Sequence, residues 1–129
     1  MDHARFAAWL EAYIAAWRSG ERAAAEALWT EDARYAFAPY RPPLLGRDAI
    51  VEMWLEDPDP PGSWTADYRP LAVDGAVAVA HGQTSYRRAD GAKQDIDYRN
   101  IFVCEFAPNG RCRSFVEWFM EVPRDAARE

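Results

Sequence analysis

Three turn-forming pairs, Asp74-Gly75, Asp90-Gly91 and Asn109-Gly110, divide the chain after Ser63 into four β-rich runs. In an Asx-Gly pair both central residues of a two-residue turn can take positive φ, the geometry whose twist matches antiparallel strands. The spacing therefore predicts a four-strand meander. Opposite residues of a hairpin point to the same side of a sheet, so the turns also predict which side chains share a face.

The first half has another period. Phe6, Trp9, Leu10, Tyr13, Ile14 and Trp17 recur at three- and four-residue steps, one face of a helix that Ser19-Gly20 stops. The alanine-rich ERAAAEALW reads as a second short helix, and Ala33 to Ala38 as a strand ended by the prolines of PYRPP. GRDAIVEMWLED reads as a third helix, with Ile50 and Trp54 one turn apart. DPDPPG, from Asp57 to Gly62, must be a loop. Helices followed by a meander, without repeats or linkers, predict a single α+β domain spanning residues 1–129.

Six Trp, six Tyr and six Phe are more rings than a core of this size ordinarily uses, so they either swell the core or wall a cavity. A net charge of −6 with interspersed signs argues against a nucleic-acid partner. The MDHARF start has no signal-type apolar run, and no stretch approaches the roughly 18 apolar residues of a membrane span. The expected location is cytoplasmic. The Asn109-Gly110 turn places Cys104 opposite Phe115 and Cys112 opposite Ala107, so the sulfurs should not meet and free packing thiols are expected.

In the predicted register Tyr68 and Asn100 flank His81, Ala66 and Tyr98 flank Gln83, and Glu117 faces Phe102. One face then carries Trp64, Tyr68, Val77, Val79, His81, Gln83, Ile96, Tyr98, Asn100, Phe102, Phe115, Glu117 and Phe119. It is apolar enough to pack on the helices, yet His81, Gln83, Asn100 and Glu117 would be costly to bury unpartnered. Either they form a closed structural network or they line a wet pocket beside Tyr13 and Tyr35. Glu117 sits among Phe102, Phe115 and Phe119, where desolvation raises a carboxyl pKa above about 4.3 and suits it to proton transfer near neutrality. On a flat sheet His81 and Glu117 would stand about 10 Å or more apart; a curled sheet could bring them together. The other face mixes Asp67, Arg69, Ala80, Gly82, Thr84, Asp97 and Arg99 with Ile101, Val103, Val116, Trp118 and Met120, as expected for a sheet half in water and half in a homodimer contact.

FAAWLEAYIAAWRSGERAAAEALWTEDARYAF, LLGRDAIVEMW and GRCRSFVEWFM, in this order, resemble the nuclear transport factor 2-like superfamily, specifically its SnoaL-like polyketide cyclase branch. The resemblance implies a cone-shaped fold with a deep pocket between a curved sheet and three helices, usually as a dimer. Its members' sites do not transfer whole. Ketosteroid isomerase's tyrosine is matched by Tyr13, but its acids fall on Ala38 and Phe102. Limonene epoxide hydrolase's tyrosine is matched by Tyr35 and its last acid by Glu117. Its asparagine falls on Phe37, and its arginine and second acid on His81 and Gln83. Scytalone dehydratase's histidine and asparagine resemble His81 and Asn100, while its helix aspartate is Arg18.

There is no phosphate loop and no His, Cys and carboxylate cluster at metal spacing, so neither cofactor nor metal is expected. The sequence thus points to acid–base chemistry on a small hydrophobic, oxygenated molecule. Glu117, His81, Asn100 and Tyr35 are the catalytic candidates. Tyr13, Trp17, Phe37, Trp54, Trp64, Gln83, Tyr98, Phe102 and Phe119 are the lining candidates. The alternative is a non-catalytic ligand-binding or dimerisation module.

Overall fold

A computed structural model describes residues 1–56, 58–60, 62–87 and 95–123. Helix α1 (His3–Ser19) begins where the Asp2 side chain accepts a 2.8 Å bond from the Arg5 amide, and ends at Gly20, φ 66°, whose N–H returns to the Ala16 carbonyl. Its inner stripe of Phe6, Trp9, Leu10, Tyr13 and Ala16 is buried. Helix α2 is short (Arg22–Glu26), because Leu28 and Trp29 are drawn into the core instead of continuing it. The Trp29 ring meets Trp9, Tyr35, Trp54 and Phe115 edge to face, and that packing overrides the helical preference of the alanines.

Trp29 opens strand β1 (Trp29–Ala36), which pairs with the two-residue β2 (Leu44–Leu45) before α3 (Arg47–Glu56). The meander follows as β3 (Trp64–Asp74), β4 (Val77–Tyr86), β5 (Ile96–Phe106) and β6 (Cys112–Glu121). The six strands lie in the order β2-β1-β6-β5-β4-β3. The sheet is mixed, because β1 runs parallel to β6 while the other pairs are antiparallel. Of the DPDPPG loop, residues 58–60 take no regular structure, and Asp57 and Pro61 lie outside the described residues.

The β5–β6 register is the predicted one: Asn100 opposes Phe119, Phe102 opposes Glu117 and Cys104 opposes Phe115. Nearer the turn a bulge places Cys112 opposite Phe106 rather than Ala107. Both cysteines are free and buried on the inner side, and the Cys104 thiol is raised by burial and by hydrogen bonding to the neighbouring Cys112 thiol. The two thiols are therefore neighbours, contrary to the expectation that they would not meet.

The β3–β4 register departs by one residue at its functional end. Asp74 pairs with Val77, so Gly75 and Ala76 form the turn, and an irregularity between Pro70 and Ala72 then takes up one extra residue. Beyond it Tyr68 opposes Gly82 rather than His81, and Asp67 rather than Ala66 opposes Gln83. A single inserted residue reverses facing because strand side chains alternate with period two. On β5, Gly82 opposes Asn100 and Thr84 opposes Tyr98, while His81 opposes Ile101 and Gln83 opposes Arg99. The Asp90-Gly91 turn that was to set this pairing lies outside the described residues.

Strand β4 consequently turns Ala78, Ala80, Gly82 and Thr84 inward, and Val77, Val79, His81 and Gln83 outward. Small inward residues leave room for a layer of rings: Tyr68 and Phe102 lie 4.5 Å apart, and Phe115 is stacked on Tyr35 at 4.8 Å. Gly82 is required there, because a Cβ would lie 2.0 Å from the Asp67 carbonyl oxygen and 2.7 Å from the Tyr68 ring.

Candidate functional site

Four inward side chains from four successive strands form one hydrogen-bonded row. Asn100 on β5 donates through Nδ2 to Glu117 Oε2 on β6 at 2.8 Å, and accepts at Oδ1 from the Thr84 hydroxyl on β4 at 2.9 Å. Thr84 also bonds the Tyr68 hydroxyl on β3. The Thr84 proton is committed to Asn100, so the Tyr68 hydroxyl must donate to Thr84. The row is therefore directional, running from Tyr68 through Thr84 and Asn100 to a terminal acceptor, Glu117. Thr84 and Asn100 are only 3% and 5% exposed, so an unpaired group in this row would be penalised.

Glu117 is the end of the row and the start of a cavity of about 410 Å³. Tyr68, Thr84, Asn100 and Glu117 form one side of it; Phe37, Tyr86, Tyr98 and Phe119 add rings, and Arg41 and Asp59 bring charge. Burial raises the Glu117 carboxyl above the ordinary glutamate value, with the Asn100 bond pulling weakly the other way. Only one of its oxygens is bonded to a described side chain. Asp59 accepts from Trp17 Nε1 at 3.1 Å, and Trp17 stacks on Trp64 at 3.7 Å, so an aromatic pair supports the loop that carries Asp59.

The structure distributes the predicted residues over three places. Glu117, Asn100, Phe37, Tyr98 and Phe119 line the cavity. Trp17 and Trp64 support Asp59 from behind. Tyr13, Tyr35, Trp54 and Phe102 belong to the packed aromatic layer and do not line the cavity. Burial, foremost, raises the Tyr13 and Tyr35 phenols far above their ordinary value, so both stay neutral.

His81 and Gln83 do not join them. Both are exposed on the opposite side of the sheet, so the expected Glu117–His81 pair does not exist. They line a larger outer groove of about 1060 Å³ with Asp67, Arg69, Arg99 and Trp118. Sequence reading missed Thr84, Arg41, Asp59 and Tyr86 as cavity residues. Thr84 was lost with the β4 register, and Arg41 and Asp59 because proline-rich segments carry no periodicity to orient them. The alternation of Ala78, Ala80 and Gly82 with Val77, Val79 and His81 was a usable signal, since small residues belong under a ring layer. Among the described residues no cluster of three His, Cys, Asp or Glu could hold a metal. No described helix is long and apolar enough to cross a membrane.

A mixed, curved sheet with three helices on one side is the architecture of the nuclear transport factor 2-like cone. The described lining of the acid-bearing cavity comes from strands and their connections rather than from the helices, where the resemblance had put the pocket. The chain belongs to the SnoaL-like domain family, whose model matches residues 10–115. Three solved structures share the fold. An LEH-like epoxide hydrolase from M. tuberculosis is 13% identical, with a TM-score of 0.67, 92% of this chain and 84% of that one covered. An NTF-2 like protein of unknown function from Burkholderia xenovorans is 17% identical, TM-score 0.66, covering 96% and 91%. A ketosteroid isomerase-like protein from Erwinia carotovora atroseptica is 18% identical, TM-score 0.67, covering 94% and 96%. At these identities the likeness establishes the fold alone. No curated protein sequence matches the chain.

Proposed function

We propose that the protein is a cofactor-independent acid–base enzyme acting on a small oxygenated molecule in the 410 Å³ cavity, with Glu117 as the proton-transferring group. The carrying observation is the desolvated Glu117 carboxyl, which has one oxygen fixed by Asn100 and lines the cavity. A carboxylate held at one oxygen and raised in pKa can take a proton from an activated C–H or a water and return it nearby. Asn100 then shares the charge, and Thr84 and Tyr68 keep the amide from flipping. Tyr98 and Tyr86 stand where a substrate carbonyl or hydroxyl could meet a phenol. Enolisation, cyclisation, dehydration and hydration use the same equipment, and the likeness in fold to an LEH-like epoxide hydrolase and a ketosteroid isomerase-like protein is compatible with each.

Exchange of α-hydrogens for deuterium in a panel of small aryl ketones, followed by proton NMR, tests this reading. Wild-type protein should accelerate exchange for at least one ketone, and Glu117→Gln should abolish the acceleration. Equal rates for the two proteins would remove Glu117 from the chemistry.

The outer face supports a homodimer. Trp118 and Met120 are 52% and 72% exposed beside Ile101, and the groove carries both signs of charge, Asp67 against Arg69 and Arg99. Two copies set face to face could bury the apolar side chains and pair the charges. Trp118→Glu should convert the species seen in sedimentation to monomer.

A further inference from the structure

The cavity's charge pattern says more about its ligand than Glu117 does. Arg41 is the one cation among its described lining residues. Asp59 is engaged by Trp17 and Glu117 by Asn100, whereas no described residue holds the Arg41 guanidinium through a hydrogen bond or ion pair. Several other arginines are committed: Arg22 to Glu26 and Glu52, Arg69 to Asp67, Arg113 to Glu105, and Arg111 to the carbonyls of Glu26 and Trp29. The backbone that carries Arg41 is stiff. Its amide donates to the Ala38 carbonyl at 3.1 Å, and Pro39, Pro42 and Pro43 restrict the chain on both sides. A fixed stem with an uncommitted guanidinium, in a protein of net charge −6, is a local exception to a field that repels anions.

We infer that Arg41 is the anchor for a substrate carboxylate, and that the cavity therefore takes a small oxygenated monocarboxylic acid. The inference rests on the reading of this cavity as a substrate site and adds the class of substrate. A guanidinium fork matches the two oxygens of a planar carboxylate. A phosphate dianion would need further donors, and Asp59 on the same cavity disfavours the extra charge. With its carboxylate on Arg41, the ligand would extend its reactive end past the edge-to-face pair of Tyr98 and Phe119 towards Glu117. Removing the Asp59 charge should then tighten binding.

Benzoate and its neutral isostere benzamide are the probes, titrated against the full chain and read by backbone amide NMR. Benzoate should bind at least about tenfold more tightly than benzamide and shift Thr84, a residue of the inner cavity alone. Arg41→Gln, an exposed and fold-neutral change, should lower benzoate affinity to that of benzamide and leave benzamide unaltered. Asp59→Asn should raise benzoate affinity. Three results would each overturn the inference: equal binding of the two probes (including none), shifts at His81 and Arg99 in the outer groove instead, or tighter binding of phenyl phosphate than of benzoate. Parallel losses in Arg41→Gln and Asp59→Asn would show the two residues closing the mouth together, and would equally overturn it. Benzoate binding in Glu117→Gln separates the two readings. If it persists while that variant still exchanges ketone hydrogens, the acid–base function falls and the anchor stands. If it is absent from the wild type while Glu117→Gln loses exchange, only the anchor falls.

Discussion

The two faces of the same four strands both carry polar groups and both border a cavity, yet they are built for different work. Inside, Tyr68, Thr84, Asn100 and Glu117 are joined in one directed row and largely withdrawn from water. Outside, Asp67, Arg69, His81 and Arg99 lie along a groove more than twice as large, where water screens each of them. Chemistry needs a group whose protonation is set by its surroundings, and on the inner side burial does this for Glu117. Polar residues alone did not distinguish the faces; connection and burial do.

The comparison can be broken most directly at its two titratable residues. Glu117→Gln should cut turnover by about 10²–10⁴-fold, the usual contribution of a positioned acid or base, whereas His81→Ala should leave turnover unchanged. Loss of activity in His81→Ala would mean that the outer face takes part in the chemistry.

A second contrast is in stability against pH. The folded pKa of Glu117 lies above the unfolded one, so the folded state binds this proton more tightly. Stability from this group is full below the ordinary carboxylate range and is lost as pH rises through the folded value. Glu117→Gln, which has no charge to desolvate, should be more stable than wild type at pH 7, and the gap should close as pH falls below about 4. Chemical denaturation at several pH values measures both ends. A constant gap would mean that Glu117 is solvated like an outer carboxylate.

Cutting the row sharpens the contrast further. Thr84→Val keeps the volume but leaves the Tyr68 hydroxyl and Asn100 Oδ1 without their partner, at a cost of about 1–3 kcal/mol. The freed amide should hold Glu117 less well, so the carboxyl pKa should rise further in a carbon-detected titration. The smallest effect belongs outside: Gln83→Ala should change stability by less than about 0.5 kcal/mol in thermal or denaturant melts.

Where local geometry repeats, the sequence could be read. The helix stripe of Phe6 to Trp17 and the β5–β6 pairing of Phe102 with Glu117 follow from period and turn alone. The position of Glu117 among rings was legible for the same reason. What escaped was set by departures from period. The one-residue offset of β4 against β5 leaves no mark in a hydrophobic pattern, yet it turns Thr84 inward where the Asp90-Gly91 register had put His81. Arg41 and Asp59 sit in proline-rich connections whose course depends on tertiary contacts such as Trp17 to Asp59. The truncation of α2 likewise reflects the pull of Trp29 into the core, a gain no local propensity contains.

The one-residue offset of β4 against β5 acts as a selector of side-chain sets. With it, the ring layer receives alanines and glycine, and the hollow receives a hydroxyl. In the offset read from the Asp90-Gly91 pair, the same segment of β4 would offer the hollow an imidazole and an amide, and would push valines against the rings. A lineage carrying this scaffold can thus exchange one chemical repertoire for another by sliding one strand a single residue along its neighbour, leaving the acid on β6 untouched.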